Sequence, residues 1–309
     1  MIPRISVIIP VYNRARLVRR ALESCQRQSM TDWEAIVVDD ASEDESRDVV
    51  RSFNDPRITL LSHESNVGQC VARNTGAAIA RADWLLFLDS DDELTDGSLE
   101  IVMQRARHVS PRVARMFFAC RWDNGTVSPD PPFDGRELTY QDFVRWLQQM
   151  HGRPVEAISA VRSSAFHEVP YPNRRSHEGG HNLDFMKQFN FAGFPDVVRL
   201  YHLDADNRMT DEVRRPDRIL ETAPGISWLA DSVLQNHGDA LRKWSPATYQ
   251  DYLRAGGLYH LLAGNRWRGI ALTAKAWLNQ PLNVKSAVLL ACSWLPVRAL
   301  AQVKMRWGK

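Results

Sequence analysis

Trp84-Leu-Leu-Phe-Leu-Asp-Ser-Asp-Asp92 is the stretch whose reading decides the fold. Five apolar residues without a polar break read as a strand buried on both faces, and the acids begin where the strand stops. The same pattern recurs upstream. Ile5 to Val11 is a β-branched run that passes through Pro10, and Trp33 to Val38 ends directly on Asp39-Asp40. Ile58 to Leu61 and Val113 to Cys120 are further strand candidates. Helical spacing fills the intervals: Ala15 to Gln28, Glu43 to Phe53, Val67 to Ala80, and a helix reaching His108. Ser42 followed by Glu45 predicts a capping box for the second of these, and Asp96 a cap for the last. Strands alternating with helices at this spacing predict a doubly wound, mostly parallel sheet. Ligands of such sheets sit beyond the carboxyl ends of the strands. Asp39, Asp40, Asp89, Asp91 and Asp92 all fall there.

The middle of the chain is less regular. Asp123 to Gly135 reads as a loop or loose hairpin, Tyr140 to Met150 as a helix and Val155 to Val161 as a strand. Ser163 to His167 reads as a turn, Pro170 to Gly180 as a loop feeding a helix from Leu183 to Phe191, and Val197 to Tyr201 as a strand. Beyond Arg215-Pro216 the pattern is helical, with expected helices at Pro224 to His237, Pro246 to Leu262, Arg266 to Leu278 and Val284 to Leu300. The expected organisation is therefore an α/β domain over 1–215 that divides near residue 110, with a helical region over 216–309.

Across 309 residues the formal net charge is only +2, but it is unevenly placed. Ala240 to Lys309 holds eleven Lys or Arg and one acid, Asp251, which gives that segment +10 and the remainder −8. A basic end suits an anionic surface, and equally a solvated helix face. Trp228, Trp244, Trp267, Trp277, Trp294 and Trp307 lie in the same third. They fit either a surface resting on an anionic bilayer or ordinary helix–helix cores. No nucleic-acid recognition module is recognisable, so nucleic acid is not an expected partner. The four cysteines form no CxxC pair, which argues against structural zinc or a disulfide framework and fits a reducing, cytoplasmic setting. Met1 to Arg4 runs straight into the first strand, so no signal peptide is expected, and Ala287 to Val297 is too short to span a bilayer.

The acids point to a particular chemistry. Carboxylates crowded as in Asp89-x-Asp91-Asp92 repel one another unless a cation lies between them or water solvates each. A hard divalent ion prefers such oxygens and neutralises a diphosphate. Asp39-Asp40 either accepts hydrogen bonds from a base or ribose, or simply caps a turn. Tyr12, just past the first strand, is placed to stack on a base. Arg73 offers a planar fork to a phosphate or an acid. The glycines form neither GxGxxG nor GxxxxGK[ST], so hydride-transfer and P-loop chemistry lose their main support.

Val7-Ile-Ile-Pro-Val-Tyr-Asn13, Val38-Asp-Asp-Ala-Ser42, Asn66-Val-Gly68, Ala72-Arg-Asn-Thr-Gly76 and Leu88-Asp-Ser-Asp-Asp92 occur in that order. The set resembles the family 2 glycosyltransferases over roughly residues 4–210. The resemblance implies the GT-A fold and inverting transfer of a sugar from a nucleotide donor, UDP- or GDP-linked, with Mn²⁺ or Mg²⁺, to a saccharide or lipid-linked acceptor at the inner membrane face. It implies that 1–110 is the nucleotide-sugar-binding half and 111–215 the acceptor-side half, that Pro10, Tyr12 and Asp40 lie at the nucleotide, that Asp91 lies near ribose and metal, and that Asp92 is the principal metal ligand.

The family usually carries its base on a Glu-Asp pair opening an acceptor-side helix. Here Gly180-His-Asn-Leu-Asp-Phe-Met186 stands in that register, with His181 and Asn182 at the acidic positions. Asn182 is a poor base. Glu178 and His181 rank level as candidates, and Asp184 lies one turn on. Tyr201-His202-Leu-Asp204 resembles the family's last site loop, which makes His202 a candidate metal ligand and Arg208 a diphosphate partner. The paired acids are committed to metal and nucleotide, which favours transfer over hydrolysis. The alternative is a catalytically weak or inactive nucleotide-sugar-binding protein with a regulatory or partner role.

Overall fold

The structure is a computed structural model that describes residues 2–153, 155–174, 178–204 and 216–307. Its strands and helices run in chain order as β1 (Ile5–Val11), α1 (Ala15–Gln26), β2 (Trp33–Asp39), α2 (Ser46–Arg51), β3 (Ile58–Ser62), α3 (Gln69–Ile79), β4 (Trp84–Phe87) and β5 (Glu93–Leu94). They continue with α4 (Ser98–His108), β6 (Val113–Trp122), β7 (Val127–Ser128), β8 (Glu137–Leu138), α5 (Tyr140–Gln149), β9 (Ala157–Arg162), α6 (Ser163–Glu168), a 3-10 turn at Glu178–Gly180, α7 (His181–Gln188) and β10 (Asn190–Tyr201). The helices beyond are α8 (Pro216–Trp244), α9 (Pro246–Leu262), α10 (Arg266–Asn279), α11 (Val284–Cys292) and α12 (Val297–Trp307).

The chain divides into two compact units, one of residues 1–140 and 152–205, the other of residues 141–151 and 206–309. The first unit holds one sheet in the order β3-β2-β1-β4-β9-β6-β10-β5, with β7 on β6 and β8 on β10. The first four strands are parallel, β9 runs antiparallel between β4 and β6, and β6 and β10 are again parallel. Every residue of β1, β2 and β4 is buried, as continuous apolar runs require. Gly76 sets how closely α3 lies on the sheet: a Cβ there would stand 2.7 Å from Ile8 Cγ2 and 3.2 Å from Val38 Cγ2. Register puts Val11 opposite Asp39, and Ile8 opposite Phe87 in the parallel β4. The turns after β1, β2 and β4 therefore share one edge of the sheet.

Two expected caps do not form. α2 starts at Ser46, its N-cap residue Glu45 makes no side-chain cap, and Ser42 instead accepts the Asn13 N–H at 2.9 Å. Asp44 takes over, accepting the N–H groups of Ser46 and Ala15, each at 3.0 Å. Gly97, in the left-handed region at φ 73°, precedes α4 where Asp96 was expected to cap it. The loop after β6 closes as a short hairpin onto β7, and β10 begins at Asn190, seven residues before the expected strand.

In the second unit, α8 passes through Pro224 rather than starting there. The expected last helix is two, α11 and α12, divided before Val297 because Pro296 cannot donate into a continuing ladder. α9 and α10 approach closely at glycines, where a Cβ on Gly257 would stand 2.5 Å from Thr273 Cγ2. The core here is aliphatic, built from Ile219, Ala223, Leu261, Leu262, Leu300 and Ala301 with Tyr259. Trp267 and Trp294 lie outside it, on the surface.

Candidate active site

β4 ends at Phe87, one residue before the apolar run does, and the Leu88 N–H still bonds Ile8 O at 3.0 Å. The chain then turns, with the Asp92 N–H donating to Asp89 O at 3.1 Å. This turn gathers Asp89, Asp91 and Asp92 so that one carboxylate oxygen from each lies within 4.8 Å of the others. Asp92 is 1% exposed. Its Oδ1 accepts the His202 N–H at 3.2 Å, and Arg199 Nη1 stands 3.1 Å from Oδ2. That ion pair is close but not aligned as a hydrogen bond, so Oδ2 is buried with no hydrogen donated to it. Burial pushes the Asp92 carboxyl up to about 8; Arg199 opposes the rise, while Asp89 and Asp91 add to it. Asp91 is raised too, by burial and then by Asp89. An oxygen-rich, charge-strained group with an orphaned buried oxygen suits a hard divalent ion.

Two buried arginines bracket these acids. Arg73, on α3, places Nη2 2.6 Å from Asp89 Oδ1 and donates through Nη1 to Glu178 Oε2. Arg199, on β10, reaches Asp92, Asp89 (Nη1 to Oδ2, 3.6 Å), Glu156 (Nη2 to Oε2, 3.0 Å) and Cys120 Sγ (3.1 Å). Burial works against the Arg199 charge, but Cys120, Asp92, Asp89 and Glu156 outweigh it and hold its proton more firmly than usual. The result is an alternating ladder, Glu178–Arg73–Asp89–Arg199–Glu156, across the strand ends. Arg73 thus serves as the acid partner that the sequence allowed.

At the ends of β1 and β2, Tyr12 is exposed and Pro10 is buried within β1. The Asp40 carboxylate is already engaged. Oδ1 accepts the Val67 N–H at 3.0 Å and faces His63 Nδ1 at 2.8 Å, and Oδ2 accepts the Gly68 N–H at 2.7 Å. Gly68 makes this approach at φ 98°, a backbone conformation that favours glycine. Asp39 is as buried, and its Oδ1 has no hydrogen-bond partner.

The acceptor-side candidates separate. His181 is 2% exposed, enclosed by Phe166, Tyr171 and Phe185. Its Nε2 lies 2.7 Å from Val169 O, which can only accept, so this nitrogen carries the hydrogen. Its Nδ1 lies 3.3 Å from Arg115 Nη2, which can only donate. Burial, and then Arg115, pull the imidazole down to about 3. With both nitrogens committed, His181 does not offer the base that its register suggested. Asn182 Oδ1 accepts from Arg115 Nη1. Asp184 is half-buried on α7 and close enough to Tyr140 to add to the rise that burial gives that phenol. Glu178 keeps a side chain 46% exposed beside Arg73. His202 does not join the acid cluster through its ring: Nδ1 lies 2.6 Å from Asp123 Oδ1 and Nε2 3.0 Å from Glu93 Oε1. Asp89 completes the cluster in its place. Arg208 lies outside the described residues.

Arg199, Glu156 and Arg115 were not singled out from the sequence. The available signal was a charge inside an apolar strand, Val197-Val-Arg199-Leu-Tyr201 and Val113-Ala-Arg115-Met-Phe117. Such a charge needs a buried counter-group.

Parallel strands β3-β2-β1-β4, with acids gathered past β4 and an antiparallel β9 leading to β6 and β10, form a GT-A-type fold. Residues 6–151 match the glycosyl transferase family 2 model. The chain is 39% identical over 181 residues to GalNAc(5)-diNAcBac-PP-undecaprenol beta-1,3-glucosyltransferase of Campylobacter jejuni, covering 55% of this chain and 57% of that one. It is 34% identical over 161 residues to validoxylamine A glucosyltransferase of Streptomyces hygroscopicus, covering 48% and 38%. The chain thus spans little more than half, or less, of these curated relatives. Among solved structures, S. aureus TarS 1-349 in complex with UDP-GlcNAc superposes with a TM-score of 0.61 at 17% identity, covering 99% of this chain and 92% of that one. Mannosyltransferase PcManGT from Pyrobaculum calidifontis, in complex with GDP-Man and Mn²⁺, gives 0.55 at 19%, covering 99% and 88%. At these identities the two structures establish the shared fold.

Proposed function

We propose that the protein transfers a sugar, with inversion, from a UDP- or GDP-linked donor to an acceptor hydroxyl on a saccharide or lipid-linked glycan at the cytoplasmic face of a membrane. The observation that carries this reading is the buried Asp89, Asp91 and Asp92 cluster at the carboxyl edge of the sheet, with its orphaned Asp92 oxygen. Mn²⁺ or Mg²⁺ held by Asp91 and Asp92, with Asp89 beside them, would supply charge neutralisation to a departing diphosphate. Tyr12 flanks the base, and the Asp39-Asp40 turn lines the nucleoside side. In the reaction, the acceptor oxygen bonds to the anomeric carbon as the bond from that carbon to the diphosphate oxygen breaks. The acceptor proton passes to Glu178, the exposed carboxylate at the end of the ladder. Arg73 positions Glu178 and ties it to Asp89.

A thermal-shift panel of UDP, GDP and their sugars, each with and without Mn²⁺, tests the donor half. Stabilisation by one nucleotide only when metal is present, lost in Asp92→Ala, is expected. Equal shifts without metal, or an unaltered response in Asp92→Ala, would overturn it. The engagement of His181 and Asn182 by Arg115 favours a second reading, a nucleotide-sugar-binding protein without transfer. Release of nucleoside diphosphate from donor in a glycan-acceptor screen separates the two.

A further inference from the structure

Helices α10 and α11 carry an apolar face that the core of the second unit does not cover. On α10, Trp267, Ala271, Ala274 and Leu278 recur at intervals of four, three and four residues, one stripe of a helix. The opposite side of α10 is buried through Gly269, Leu272, Thr273 and Ala276. On α11, Val284, Val288 and Ala291 continue the pattern toward Trp294, while Ser286 and Leu289 turn inward. Trp267 and Trp294 are 75% and 63% exposed and meet edge to face with centroids 6.3 Å apart. Arg266 holds that end together by donating to Trp294 O at 3.1 Å and Leu295 O at 3.2 Å. At the other end, Leu278, Leu282 and Val284 are also exposed, Leu282 at 97%. Contiguous exposed apolar surface on this scale marks an interaction face.

Charge identifies what the face meets. From Tyr252 to Lys309 the sequence holds nine Lys or Arg and no Asp or Glu. Lys275, Lys285 and Arg298 are exposed on these helices or just beyond them. A second copy brought face to face would oppose like charges. An anionic bilayer meets both features at once: indole and aliphatic groups enter the headgroup boundary while lysine and arginine lie against the phosphates. Among the described residues no helix is long and apolar enough to cross a membrane, so the contact lies in the interfacial plane.

We propose that the α10–α11 face is a docking surface for an anionic phospholipid bilayer. This rests on the transfer reading for its membrane-face location and assigns that contact to a named surface; vesicle binding is measured without nucleotide or metal, so its failure is distinguishable from a failure of donor binding.

The test is co-sedimentation of the full chain with vesicles of phosphatidylglycerol and phosphatidylcholine, against vesicles of phosphatidylcholine alone. Binding to the anionic vesicles, weakening as NaCl is raised, is expected. Trp267→Ala with Trp294→Ala, and separately Leu282→Ser, should each weaken it severalfold. Lys275→Gln with Lys285→Gln should weaken it about tenfold. These positions are exposed, and an unchanged melting temperature will show that the variants fold. Equal pelleting with both vesicle types, no pelleting, or indifference to the tryptophan pair would overturn the proposal. So would a dimer in light scattering that dissociates in the tryptophan variant, which would assign the face to a second copy.

Discussion

Two buried arginines of the first unit sit in opposite surroundings. Arg199 is ringed by carboxylates, with Asp92, Asp89 and Glu156 within 3.6 Å. Arg115 finds neutral acceptors, the imidazole of His181 and the amide of Asn182. Around Arg199 the charges compensate, and the acids stay gathered at the sheet edge. Around Arg115 burial pulls the guanidinium below its ordinary value, and the residues in the register of the family's base are used up in satisfying its hydrogens. One residue type, buried in the same sheet, therefore assembles a charged site in one place and withdraws one in the other. What decides the outcome is whether the partner carries charge.

The comparison can be broken at four points. The largest effect is expected at Glu178. If withdrawal of His181 leaves Glu178 as the base, Glu178→Gln should lower kcat by about 10²- to 10⁴-fold with metal-dependent donor shifts retained. Near-normal kcat would return the base to the Arg115 side or to Glu156. Next, Arg199→Gln removes the counter-charge of buried acids and should cost about 3–5 kcal/mol in denaturant unfolding. Mn²⁺ should recover part of that loss, because the acids then gain another cation. A loss below 1 kcal/mol would mean that the carboxylates do not depend on the arginine.

His181→Phe should cost about 1–3 kcal/mol, since Val169 O and an Arg115 hydrogen lose their partner. It should also change the pH dependence. The folded imidazole is held near 3 against 6.5 when free, so between those values the unfolded chain binds more protons. Stability therefore rises with pH through this window and is lost as pH falls from about 6.5 toward 3. Unfolding curves at pH 4 and 7 should differ less in His181→Phe than in the parent; an unchanged difference would show that another group sets the acid limit. The smallest effect is expected from Asn182→Asp, which gives Arg115 a carboxylate. A gain of about 1 kcal/mol or less should follow, and a loss would show that the Arg115 pocket rejects charge.

The first half of the sheet was legible because its signals are local. A parallel strand buried on both faces must be an unbroken apolar run, and the carboxyl-end rule then located Asp39, Asp40 and Asp89 to Asp92 without reference to any contact. The second half depends on pairings across long separations, such as Arg115 with His181 and Arg199 with Glu156. Spacing along the chain does not encode these. His202 illustrates the limit. Its place after β10 suggested a ligand, but Glu93 of β5 and Asp123 of the loop after β6 reach its ring from separate segments. The missing caps at Ser42 and Asp96 have the same origin, since Ser42 found a longer-range partner in Asn13 and a glycine took the turn before α4.

Asp40 bonds the backbone of Val67 and Gly68 across 27 and 28 positions of chain, with His63 bracing it from the Thr75 side. The segment leading into α3 is thereby anchored to the end of β2 when the protein folds. The entropy of ordering that wall is spent before any visitor arrives, and a molecule entering there meets a finished contour. Its capture rate should then depend on diffusion and charge, with no wait for the wall to assemble.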